Sequence, residues 1–314
     1  EAALDAGPEG RGNGACGEGR AMKSPNLAGW LFVAPALTLI TVFFGLPVIA
    51  AFALSVTDFD IYALADLGNL RFVGLHNYWA LLQNPLFWQA LGNTFYFVLV
   101  GVPLSIAASL SAALLLHSKL GRLKPLFRTA YFAPVVTTVV AVAVIWKYLF
   151  HTKYGLVNWA LSGLGVDPID WLGDPHWAMP TIILFAVWKN FGYNMIIFLA
   201  GLQAIPEDLY EAARIDGASR WRQFQHVTVP MLGPTLVLVG ILTLAGYFQL
   251  FAEPYVMTQG GPLQTTVSVL YLMYEQGFKW WNLGNASAVA FILFVLMSVV
   301  TSGLLWIARR RGMQ

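Results

Sequence analysis

Six stretches of this 314-residue chain stay apolar for the length of a bilayer crossing, and no other feature narrows the fold as far. They cover roughly residues 29–56, 92–116, 126–150, 178–203, 231–251 and 285–308. A hydrocarbon core about 30 Å thick takes about 20 apolar residues in a helix. The runs are continuous rather than alternating, so they read as helices and not as barrel strands. Composition agrees: 58% of the residues are apolar and 11% charged, against about 25% charged in a typical soluble domain. The chain is therefore expected to be an all-α membrane protein, with six transmembrane helices in a lipid bilayer. Pro35, Pro47, Pro103 and Pro134 fall inside the runs; neighbouring helices can satisfy the backbone groups they free.

Basic residues orient the spans. Lys119, Arg122 and Lys124 cluster between the second and third runs with Arg128 just beyond, Arg214, Arg220 and Arg222 lie between the fourth and fifth, and Arg309, Arg310 and Arg311 at the C-terminus. The opposite loops carry one basic residue each, Arg71, Lys153 and Lys279. The positive-inside rule then places both termini in the cytoplasm. Trp79, Trp88, Trp159, Trp171, Trp177, Trp280 and Trp281 sit in the outer loops, where an interfacial aromatic belt accounts for most of them. Residues 1–28 are rich in Gly, Ala and Glu without apolar periodicity and read as a disordered tail. Met22 opens MKSPNLAGWLF and is a candidate natural start, and the run after Trp30 is too long for a cleaved signal peptide.

Catalytic patterns are missing from the sequence. It holds no H-E-x-x-H, no G-x-S-x-G and no phosphate loop ending in Gly-Lys-Ser/Thr. His76, His117, His151, His176 and His226 are scattered through loops, and the single Cys16 permits no internal disulfide. No catalytic residue, metal site or bound cofactor is expected.

Ionisable residues inside a membrane mark functional sites by default. Lys147 lies near the outer end of its run and can snorkel to water. Lys189 lies eleven residues into the fourth run, about 16 Å deep at 1.5 Å per residue. Trp188, Asn190, Tyr193 and Asn194 surround it in sequence. Aromatic faces and amides together suit a polyhydroxylated solute; the same residues can also tie helix to helix. No acid falls inside a run as delimited here, with Glu253 at the outer edge of the fifth. Proton-coupled carriers use intramembrane acids, so the driving force is expected to come from outside the chain.

Residues 204–230 carry the most specific signal. Pro206 presets a helix start, Glu207 and Asp208 stand at its positive end, and Arg214 stands near the other. Glu211 and Arg214 are spaced for an i,i+3 pair. Gly217 supplies a left-handed stop. Ser219 is placed to cap a second short helix with Trp221, Phe224 and Val227 on one face.

The spacing Glu211-Ala212-Ala213, three residues, Gly217, nine residues, Val227-x-Val229-Pro230 resembles the EAA loop of permease subunits of ATP-binding-cassette (ABC) importers. Valine stands here at both positions where that family has Ile and Leu. Phe72-Val73-Gly74-Leu75-x-Asn77-Tyr78, Phe87-Trp88-x-Ala90-Leu91-x-Asn93-Thr94 and Thr258-x-Gly260-Gly261-Pro262 are similar to segments of the carbohydrate branch.

The resemblance implies a type I ABC importer permease fold in a bacterial cytoplasmic (inner) membrane, with a second homologous permease, two ATPase subunits and an extracytoplasmic solute-binding protein as partners and no nucleic acid. ATP and Mg would be used by the ATPases. Glu211, Ala212, Ala213, Asp216 and Gly217 would form the ATPase-coupling contact. In permeases of the maltose-transporter type the helices flanking this loop hold the sugar. The matching stretches offer Trp188, Lys189, Asn190, Tyr193, Asn194, Thr243, Tyr247, Gln249 and Phe251 as the substrate path. The implied organisation is a tail (1–28), a first helix with its outer loop (29–91), a permease core (92–308) and a basic C-terminal tail (309–314). A sugar is the expected cargo. Lys189 leaves glycerol-3-phosphate or another polyol ester as an alternative, and an ion-coupled secondary carrier is a more distant one.

Overall fold

The computed structural model describes residues 27–66, 68, 70–117 and 124–310. Residues 1–26 of the expected tail, Lys119, Arg122 and residues 311–314 lie outside the described residues. The chain divides into two units, residues 1–50 and 51–314. The first holds α1 (Leu27–Ile40), a wider π-helical turn (Thr41–Gly45) and the start of α2 (Leu46–Ser55). Pro47 has no N–H to give to the turn before it, and the Leu46 N–H reaches back to the Thr41 carbonyl. One apolar run, Trp30–Ser55, results.

The second unit continues through α3 (Ile61–Ala65), α4 (His76–Gln83), α5 (Pro85–His117), α6 (Lys124–Val136), α7 (Val139–Leu149), α8 (Leu156–Ser162) and α9 (Pro175–Gln203). It ends with α10 (Glu207–Ile215), α11 (Arg220–Gln223), α12 (Val229–Met231), α13 (Gly233–Phe248), α14 (Ala252–Met257), α15 (Val269–Tyr274) and α16 (Leu283–Arg310). Among the described residues the only β pairing is an antiparallel bridge between Thr57 and Phe72.

Among the described residues, five helical runs are long and apolar enough to cross a membrane: Trp30–Ser55, Pro85–His117, Pro175–Gln203, Gly233–Met257 and Leu283–Arg310. The expected third span is not one helix. α6 and α7 meet at a 100° bend around Thr137 and Thr138. Pro134 removes a helical donor there, the Thr137 hydroxyl bonds the Pro134 carbonyl at 2.6 Å, and Thr138 is extended. A second correction concerns the fifth span, which runs on past residue 251 to Met257 and so includes Glu253. The expectation that no acid lies within a span therefore fails at Glu253.

α5 lies along α9, with α13 against both and α6 against α9. Glycines set the closest approaches. A Cβ at Gly192 would stand 2.1 Å from the Tyr131 carbonyl oxygen, so only glycine lets α9 and α6 touch backbone to backbone. Two apolar clusters fill the bundle, one including Phe97, Ile182, Phe185 and Phe248, the other Leu116, Met195, Phe198, Leu202 and Leu232. Between them in sequence on α5, α9 and α13 sit Ser105, Asn194 and Thr243, all buried. Asn194 Nδ2 donates to Thr243 Oγ1 at 2.8 Å and to Ser105 Oγ at 3.4 Å, pinning three helices at one level.

The motifs before α5, at its start and before α15 hold one another. Asn77 Nδ2 donates to the carbonyls of Ser55 and Thr57 at 2.9 and 2.7 Å, and the Tyr78 hydroxyl donates to Ser55 Oγ at 2.7 Å. Asn93 Nδ2 donates to the Gln264 and Val267 carbonyls, both at 2.9 Å, while Thr94 Oγ1 accepts from the Val269 N–H at 3.0 Å. The start of α5 thus fixes the Gly260–Gly261–Pro262 loop and with it the start of α15.

Candidate functional site

A cavity of about 430 Å³ opens among α7, α9, α13, the break after α13 and α14. Most of its lining comes from two helices that are apolar on nearly every side. Where such a helix carries polar groups inside a bundle, it needs either partners or a wet space. Lys189, Asn190, Tyr193 and Asn194 line it from α9; Thr243, Tyr247, Gln249 and Phe251 line it from α13 and the break that follows. Eight of the nine expected substrate-path residues therefore meet at one cavity.

Trp188 is the exception. It packs away from the cavity against Trp146, with ring centroids 5.3 Å apart and the rings tilted by 44°. Successive helix positions point about 100° apart, and Lys189 takes the inward direction. The Lys189 ammonium is not free in the cavity. Its Nζ donates to the Val135 carbonyl at 3.2 Å, in the last turn of α6, where the helix leaves carbonyls without intrahelical partners and concentrates negative dipole charge. Lys189 thus caps the bent segment. Replacing it with methionine is expected to lower stability by about 1.5–3 kcal/mol, the range for a hydrogen bond to a charged group. Thermal unfolding of the protein in lipid nanodiscs measures this, and an unshifted transition would show the cap to be dispensable.

Glu253 also lines the cavity and was not among the expected residues. The signal for it was available: the apolar run continues across the break at Gln249–Phe251 to Met257. The cavity is then lined by one basic and one acidic side chain, with no ion pair between them within 4.0 Å among the described residues. Phe97, also unanticipated, adds an aromatic ring 5.0 Å from that of Tyr247. Tyr247 packs so closely on Gly101 that a Cβ there would stand 2.7 Å from its ring, and its buried hydroxyl has no hydrogen-bond partner of normal geometry among the described residues. Aromatic faces, amides and hydroxyls can surround a neutral polyol. Outside the spans, Asp174 caps α9 by accepting from the His176 N–H at 2.7 Å. That bond and the nearby imidazole hold its carboxyl below the usual carboxylate range.

The second site is α10. Gly217 has φ +73°, and the Gly217 and Ala218 N–H groups bond the carbonyls of Arg214 and Ala213 at 3.0 and 2.9 Å, closing a Schellman cap. Ser219 caps α11 as expected, its hydroxyl accepting from the Arg222 N–H at 3.4 Å. The expected Glu211–Arg214 pair does not form. Arg214 reaches Glu207 instead, at 4.0 Å, since residues seven apart share a helix face. Glu211, Ala212, Asp216 and Gly217 are exposed, and Ala213 is half-buried. On the opposite side the Tyr210 hydroxyl meets Thr228 Oγ1 at 2.9 Å, anchoring α10 to the chain entering α12. Ile215 is 86% exposed and Trp221 64%. Large apolar side chains bared beside charged ones mark a protein-contact surface more often than plain solvent, and Ile215 was not singled out in the sequence.

These features define a multi-pass helical membrane protein built round a polar cavity, with a capped helix exposed outside the bundle. Residues 101–312 match the family described as binding-protein-dependent transport system inner membrane component. The chain belongs to that family. It is 38% identical over 288 residues to the lactose transport system permease protein LacF of Rhizobium radiobacter, covering 90% of this chain and 94% of the relative. The trehalose/maltose transport system permease protein MalF of Thermococcus litoralis is 37% identical over 286 residues, with the same coverages of 90% and 94%. The fold superposes with a TM-score of 0.76 on a chain of a bacterial ABC transporter involved in the import of the acidic polysaccharide alginate. That match covers 90% of this chain and 96% of the other at 24% identity, a likeness of fold.

Proposed function

We propose that the chain is a permease subunit of a carbohydrate ABC importer and forms part of the path for a sugar delivered by a solute-binding protein. The observation that carries this reading is the convergence of amide, hydroxyl and aromatic side chains from α9 and α13 on one cavity, in a chain whose relatives are named for lactose and for trehalose/maltose transport. In this reading the bent α6–α7 pair counts as one span, giving six with both termini in the cytoplasm of a bacterial inner membrane. Glu211, Ala212, Ala213, Asp216 and Gly217 face an ATPase subunit, and two such subunits hydrolyse ATP with Mg while this chain binds no nucleotide. A second homologous permease completes the path.

The glycerol-3-phosphate alternative loses support from Lys189. Its Nζ already serves the Val135 carbonyl, which leaves less of its charge for a phosphate in the cavity. Reconstitution of the chain with its partner permease, ATPases and binding protein in liposomes tests both. The expected result is ATP-dependent uptake of lactose, maltose or an arabinooligosaccharide. Uptake of glycerol-3-phosphate alone would overturn the sugar reading. Uptake driven by an ion gradient without the ATPases would overturn the importer.

A further inference from the structure

Phe251 lines the cavity, yet its ring also belongs to an aromatic cluster that leads away from it. Its centroid lies 4.9 Å from Tyr274, 5.3 Å from Tyr255 and 6.2 Å from Tyr271. Tyr274 continues to Phe278 at 5.5 Å with the rings only 25° from parallel. Tyr255 is 42% exposed and Phe278 66%, whereas Tyr271 is buried and serves as the floor. Five rings, Phe251 from the break after α13 and the others from α14, α15 and the turn after it, thus run without interruption from the cavity wall to the surface.

The cluster is held in place. Ser268 caps α15, accepting from the Tyr271 N–H at 3.0 Å, while its hydroxyl donates to the Leu250 carbonyl at the break beside the cavity. The Tyr255 and Tyr274 hydroxyls lie 3.5 Å apart, which sets two polar tips beside the exposed ring surface of Tyr255 and Phe278. The nearby charges are satisfied: Lys279 pairs with Glu275 at 2.7 Å, which holds its ammonium above the usual lysine range. A contact-only apolar patch would not need hydroxyls facing one another beside a polar cavity.

We infer that the Phe251–Tyr255–Tyr274–Phe278 aromatic wall is a second, outer carbohydrate subsite, which stacks the pyranose rings of a saccharide on their way into the cavity. The inference rests on the carbohydrate reading above and on this face being the outer one. Sugar rings carry C–H faces that pack on aromatic faces and hydroxyls that bond phenolic tips. Ring-to-ring steps of 4.9 and 5.5 Å let one sugar unit move from contact to contact without passing through water alone.

The test uses the full chain in lipid nanodiscs and saturation-transfer NMR with lactose, maltose and trehalose, and with the acyclic polyol mannitol as a control. Transfer to the axial ring protons of at least one saccharide, and weak transfer to mannitol, is expected. The pair Tyr255→Leu and Phe278→Leu should lower the saccharide signal about fivefold, the order of a lost stacking contact, while Tyr255→Trp with Phe278→Trp retains it. An unchanged signal in the leucine pair overturns the subsite, and so does absence of transfer from every saccharide to the wild-type chain. The uptake assay judges the sugar reading separately, because a variant can lose the outer signal while the wild type still imports. In the assembled transporter, with Cys16→Ser, a Trp280→Cys thiol beside the intact wall, at a position 63% exposed, should be shielded from an impermeant maleimide only when saccharide is present. Shielding without saccharide would mean that a partner chain covers the wall, and the proposal would fail.

Discussion

Replacing Gly217 with valine is expected to reduce ATP-driven uptake at least about tenfold, the factor that about 1.4 kcal/mol represents, with the membrane spans still inserted. Gly217 stands at φ +73°, and a Cβ built there meets no atom within 4 Å. The difficulty is conformational rather than steric crowding. A β-branched residue resists the left-handed region by about 1–2 kcal/mol. The Schellman bonds to Arg214 and Ala213 depend on that conformation, and nine-residue α10 has few other constraints beyond the Tyr210–Thr228 contact. Loss of the cap therefore frays the turn that presents Ala213, Asp216 and Gly217. Asparagine enters the left-handed region more readily than other residues, so Gly217→Asn should retain much of the uptake. Proteoliposome uptake and co-purification of the ATPases give the readout. Normal values for both in the valine variant would remove α10 from the coupling role.

The second large effect is expected inside the bundle. Gly192→Val should destabilise the folded protein by about 3 kcal/mol or more, the upper end for overpacking, because the obstacle is backbone. The added Cβ falls 2.1 Å from the Tyr131 carbonyl oxygen and 3.2 Å from the Phe132 Cα. α6 can escape only by moving off α9, which also pulls the Val135 carbonyl from Lys189 one turn away. Gly246→Ala is the control, since nothing lies within 4 Å of a Cβ there, and alanine favours the helix. Thermal unfolding in detergent compares the two. An equal transition temperature for both variants would mean that the α6–α9 contact is not close in the native protein.

How far each of these features was legible in the sequence depends on how local its cause is. The π-turn at Pro47, the caps at Gly217 and Ser219 and the extended Thr138 after Pro134 all follow from backbone chemistry within a few residues. The capped helices could be read directly from spacing. The sharp bend at Thr137 and Thr138 could not, because a proline in a membrane helix is compatible with a mild kink or a full break. Which one occurs depends on the neighbours: here Gly192 admits the α6 backbone and Lys189 caps its end.

Side-chain direction divides the same way. Lys189 and Trp188 are adjacent, and their residue types alone suggested a shared site. α9 is apolar around most of its circumference, so its sequence does not say which face turns toward α13 and the cavity. Packing against α5, α6 and α13 made that choice, sending Lys189 inward and Trp188 toward Trp146. Glu253 entered the cavity for a related reason, since the chain breaks after Phe248 and resumes its apolar course.

The sequence by itself determined a helical membrane protein of the binding-protein-dependent transport family, with a capped exposed loop helix. Hydropathy, capping and motif spacing are properties of contiguous residues and survive without knowledge of contacts. Only the tertiary structure decided that α9 and α13 share one cavity, that α6 is capped by Lys189, and that four further aromatic rings continue from Phe251 to the surface. Those arrangements join residues far apart in the chain, and lipid imposes no hydrophobic face that would have encoded their direction in advance.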